Sequence, residues 1–74
     1  MREEDLHALL QRIPCPLLRL HTTGGMIFEI REPETVFLGR STVELLLPPN
    51  SDQTREAVIS LLHIIWVEVI SPPP

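Results

Sequence analysis

The sequence predicts an α+β domain in which an N-terminal helix packs on a small, strongly bent antiparallel sheet or partly open barrel. Three observations carry this. Apolar residues recur at helical spacing near the start of the chain, as Leu6, Leu9, Leu10 and Ile13. After Pro16 the period changes to strand-like alternation, with Gly24-Gly25 between two such runs. The chain has 74 residues, and only Phe28, Phe37 and Trp66 are aromatic. One aliphatic core must therefore serve residues 1–70 as a single small domain, followed by a proline-rich tail at 71–74.

The helix is expected over residues 2–13. Glu3, Glu4 and Asp5 suit the positive end of its dipole and Arg12 the negative end. Pro14 and Pro16 stop it, since neither can continue the backbone ladder. So short a helix is not stable alone, and its leucine stripe must lie on the sheet.

The hairpin around Gly24-Gly25 can be read down to its register. A loop of these glycines alone would set Leu20 against Glu29 and Leu18 against Arg31, putting core positions opposite charges. A longer loop, Thr23-Gly24-Gly25, pairs Leu20 with Phe28 and Leu18 with Ile30, and sets Arg19 across from Glu29. Gly25 then occupies the left-handed position of a type I turn with a G1 bulge.

Glu32-Pro33-Glu34 breaks the pattern, and residues 35–38 form a short β-prone run that Gly39 ends. Residues 41–47 read as a strand with Val43, Leu45 and Leu47 inward, and residues 48–52 as a loop. Beyond this the sequence supports two structures. Ser51 or Asp52 could cap a helix through the following apolar stretch, but β-branched residues dominate it. The preferred reading is a strand over residues 56–61, a tight turn at Leu62-His63, and a last strand over 65–70 with Ile65, Val67 and Val69 on the core side.

Element order over about Glu3 to Ile70 resembles that of Sm-like and other SH3-like small barrels. The loop residues through which Sm-like proteins bind RNA have no counterpart, so this resemblance implies a fold and not a ligand. The chain is also similar to a group of short uncharacterised bacterial proteins. In these, a helix and a Pro-flanked RLH strand precede a Gly turn and segments matching FEIREPE, GRSTVELLLP and LLHIIWVE. That similarity implies no activity.

Composition weighs against several function classes. A net charge of −4 argues against nucleic acid, which needs a basic patch. The one cysteine, Cys15, cannot close a disulfide within the chain. The N-terminus lacks the apolar region of a signal peptide, and the apolar run at 57–70 is too short and polar to span a bilayer. The expectation is a cytoplasmic protein with no membrane contact.

No residue set points to chemistry. His7, His21 and His63 match no metal-ligand spacing, so no metal and no cofactor is expected. Cys15 lacks a positioned base and reads as a small buried hydrophobe. Ser41-Thr42 lacks the glycine run and lysine of a phosphate loop, and Glu29, Glu32 and Glu34 read as a solvated face. No catalytic residue is assigned. More telling are Ile27, Leu46, Trp66 and Ile70, which alternation puts on outer faces. The expectation is a non-enzymatic interaction module that forms a homo-oligomer, or binds another protein, through Trp66, Val67, Val69 and Ile70 in the last strand. The alternative is an Sm-like nucleic-acid-binding protein using a local patch of Arg19, Arg31, Arg40 and Arg55.

Overall fold

In the computed structural model, which describes residues 1–71, a helix α1 (Glu3–Leu10) leads into six strands. These are β1 (Leu17–Thr22), β2 (Ile27–Ile30), β3 (Val36–Leu38), β4 (Thr42–Asn50), β5 (Gln53–Ser60) and β6 (Ile64–Ile70). Short 3-10 turns over Pro33–Thr35 and Leu61–His63 precede β3 and β6. The strands form two antiparallel three-stranded sheets, ordered β2-β1-β6 and β3-β4-β5. The α+β class stands, but among the described residues the sheets do not join into a closed barrel. The proline tail at 72–74 lies outside the described residues.

One core joins the layers. Leu18, Leu20 and Ile30 from the first sheet meet Val43, Leu45 and Ile59 from the second, and Leu6, Leu61 and Ile64 close it. Helix α1 is shorter than the stripe implied. Leu6 is fully buried, Leu9 and Leu10 pack partly on the core, but Ile13 is 97% exposed. Pro14 explains this, because a residue before proline is driven out of the helical region, which takes Ile13 off the helical face.

The hairpin adopts the expected register, with Leu18, Arg19 and Leu20 opposite Ile30, Glu29 and Phe28. Gly25 sits at φ 81°, and its N–H donates to the Thr22 carbonyl at 3.0 Å. Arg19 and Glu29 face each other across the strands, but their side chains form no ion pair. Arg19 lies on the central strand with a glutamate on each side, and its Nη1 approaches Glu68 Oε1 at 3.7 Å while Glu29 pairs with Arg31 at 3.3 Å.

Two further expectations are corrected, and the choice between strand and helix after residue 52 falls to the preferred strand. Pro48 and Pro49 belong to β4 rather than to a loop, and the turn is confined to Ser51, at φ 58°, and Asp52. Both prolines fall where the β4–β5 register shifts, between Leu47 and Asn50, so their missing N–H groups break no regular ladder. Residues 53–60 are strand β5, which removes the helical alternative; only the 3-10 turn Leu61–His63 in that region is helical, and it buries Leu61. Finally, Ile65 is 63% exposed and Ile64 takes the core position. The β1–β6 register shifts here, Thr22 facing Ile64 while His21 faces Trp66, so Ile65 is the extra residue of a bulge.

Candidate functional site

The pairing of β6 decides what it offers. Thr22 N–H donates to the Met26 carbonyl at 3.1 Å, which sets the phase of the β1–β2 ladder. In an antiparallel ladder, bonded and non-bonded pairs alternate, so Leu20 and Leu18 turn their backbone groups towards β2. Leu17, Arg19 and His21 then turn theirs towards β6, to meet Ile70, Glu68 and Trp66. It follows that the N–H and C=O groups of Val67 and Val69 point away from β1. Among the described residues no strand pairs with that side of β6.

The side chains of the four candidate residues divide between two faces. Trp66 and Ile70 lie on the outer face with Arg19 and His21, whereas Val67 and Val69 lie opposite Leu20 and Leu18 on the core side. Trp66 is 51% exposed, Val69 is 38% exposed, and Val67 and Ile70 are half-buried. Ile65 adds another exposed aliphatic chain to the same edge.

Trp66 is held in place. Its ring stacks on His21 with centroids 3.9 Å apart and planes inclined by 11°. His21 Nε2 lies 3.3 Å from Glu68 Oε1, the carboxylate that also receives Arg19. His21, itself held by Glu68, thus covers one face of the indole, and Trp66 stays half exposed. Ordering a large aromatic side chain in advance lowers the entropy lost when a partner covers it. Sequence alternation identifies Trp66 and His21 as outward residues but not as neighbours, because it does not show that β1 pairs with β6.

The other candidates do not converge. His7 is exposed on α1, and His63 Nδ1 lies 3.2 Å from the Thr23 hydroxyl. Cys15 is half-buried, its thiol donating to the Pro16 carbonyl at 3.6 Å. Among the described residues no three His, Cys, Asp or Glu side chains come together as a ligand set, and no hydroxyl or thiol bonds to His21. The arginines are spread over both sheets and mostly engaged. Arg31 pairs with Glu29, and Arg55 donates from Nε and Nη2 to the Pro48 carbonyl at 3.3 and 3.2 Å.

No helix among the described residues is long and apolar enough to cross a membrane. No family model matches the chain, and no curated protein or solved structure shows significant similarity to it.

Proposed function

We propose that this chain is a non-enzymatic interaction module of the SH3-like or Sm-like small-barrel kind, which self-associates by pairing β6 with β6 of a second copy. The observation that supports it is the β6 edge, with which no strand among the described residues pairs, the backbone groups of Val67 and Val69 pointing outward beside exposed Ile65 and Val69. Such edges template strand addition unless blocked by Lys, Pro or an inward charge. Between Ile64 and Ile70 only Glu68 is charged, and its carboxylate is drawn to Arg19 and His21.

Symmetry narrows the arrangement. Two copies joined through the β6 edge with their core faces on the same side pair it either with β6, antiparallel, or with β2, parallel. The first is a closed two-fold contact, whereas the second repeats head to tail. The β6 midpoint is Val67. A two-fold axis there pairs Val67 with its own copy, sets Trp66 opposite Glu68 of the second copy, and brings Ile65 beside Val69. It avoids placing Glu68 against itself, which like charges disfavour. A cytoplasmic setting fits the single cysteine, and engaged arginines on an acidic chain disfavour nucleic acid as the partner.

Equilibrium sedimentation tests the proposal. The chain should give a dimer mass at micromolar concentration, and Val69→Lys, which puts a charge on the exposed edge without touching the fully buried core, should give a folded monomer. A monomeric mass for the unmutated chain at hundreds of micromolar would refute it.

A further inference from the structure

A second open edge lies on the far side of the first sheet. Strand β2 is the end strand of the order β2-β1-β6, and Ile27 and Glu29 oppose His21 and Arg19 in the non-bonded pairs of the ladder. Their N–H and C=O groups therefore point outward. Across from them runs the distal half of β4, where β3 reaches no further than Leu45. Gly39 N–H donates to the Thr42 carbonyl at 2.8 Å, which sets the phase on that side, so Leu46 also turns its backbone groups to the uncovered edge.

Between these edges is a groove of about 600 Å³, with Ile27, Glu29 and Glu32 on one wall and Leu46, Leu47 and Pro48 on the other. Neighbouring residues of one strand line it together, as expected where a groove follows a strand edge rather than a sheet face. Its volume lies within the range of sites that hold small ligands or short peptides. The walls are mainly apolar, and the charged side chains lining it are Glu29, Arg31 and Glu32. Arg31 neutralises Glu29, but the Glu32 carboxylate has no cation partner among the described residues. The position of Glu32 is set by the 3-10 turn after it, where the Thr35 hydroxyl and N–H both donate to the Glu32 carbonyl, at 2.7 and 3.1 Å.

We infer that this seam binds a short extended segment of another protein, apolar at alternate positions and carrying a basic residue, which adds as a strand to β2. Free backbone groups of Ile27 and Glu29 supply the pairing, Leu46 offers a second set across the groove, and the apolar walls receive every other side chain. Glu32 selects the basic residue. The site is separate from β6: a β6 dimer leaves both β2 edges at the outer ends of the joined sheet, so occupancy does not depend on self-association.

Selection from a displayed library of random twelve-residue peptides against the full chain tests this. The enriched sequences should alternate apolar residues and share a Lys or Arg. A synthetic peptide of the leading sequence should shift the amide signals of Ile27, Glu29 and Leu46 and leave those of Val67 and Val69 in place. Glu32→Lys, with its own spectrum showing an intact fold, should weaken that peptide at least tenfold, as should N-methylation of the peptide at alternate amides. The inference is overturned by the absence of enrichment, by enriched sequences without a basic residue, or by a footprint on β6. Concentration-dependent shifts of Ile27, Glu29 and Leu46 in the protein alone would also overturn it, by showing that a second copy fills the seam.

Discussion

Placing one methyl group at position 25 rather than 24 isolates the backbone cost of the hairpin loop. Both glycines are open to solvent, and a Cβ built at either meets no atom within 4 Å. They differ in backbone conformation, since Gly25 has φ 81° and Gly24 is not in the left-handed region. Gly25→Ala should therefore cost about 1–2 kcal/mol from left-handed strain alone. Gly24→Ala should be neutral, or stabilise by about 0.4–1 kcal/mol through a less flexible unfolded chain. For a domain of this size each kcal/mol shifts Tm by roughly 4–8 °C, so the two variants should melt well apart. Urea unfolding of both, at one protein concentration because association would shift apparent stability, reads the difference. A D-alanine at position 25, made by chemical synthesis, should restore the lost stability. Equal destabilisation by the two L-alanines would refute the reasoning, because nothing but the sign of φ separates the sites.

Other outcomes follow from burial and contacts. Leu6→Ala, which removes a fully buried side chain, should cost roughly 2–5 kcal/mol in urea unfolding, whereas Ile13→Ser at an exposed position should stay within about 0.5 kcal/mol. His21→Ala should weaken the near-ultraviolet circular dichroism of Trp66 by removing its stacking partner, with the far-ultraviolet spectrum unchanged. Arg31→Ala should change stability by less than about 1 kcal/mol, since its pair with Glu29 is solvent-exposed.

The legible parts of this fold are those whose partners are close in sequence. The β1–β2 register could be read because the loop joins the paired strands and a one-residue slip would put Leu18 and Leu20 against charges. The alternation of Val43 and Leu45 showed their burial for the same local reason. Pairing of β1 with β6 was not legible, because periodicity shows which face a residue takes and not which distant strand lies beside it. The His21–Trp66–Glu68 cluster, spanning 47 positions between His21 and Glu68, was lost with it. Ile65 shows a different limit. A bulge breaks the period of two, so counting outward from Val67 assigns Ile65 to the core when Ile64 takes that place. At Pro48 and Pro49 a sound rule about loops failed, because strand β4 is irregular there and tolerates residues without an N–H.

Oxidative cross-linking of single cysteines in β6 tests whether two copies meet there about a two-fold axis. In a Cys15→Ser background, cysteine is introduced in turn at Trp66, Val67 and Glu68, and covalent dimer is measured under mild oxidation. A two-fold axis at Val67 makes that residue face its own copy as a bonded antiparallel pair, with Cα atoms about 5.5 Å apart. That is within the range a disulfide can span, about 4.4–6.8 Å. Dimer should form rapidly for Val67→Cys and slowly for Trp66→Cys and Glu68→Cys, whose copies are offset along the strand. No cross-link at any of the three positions, or equal rates at all of them, would contradict that pairing.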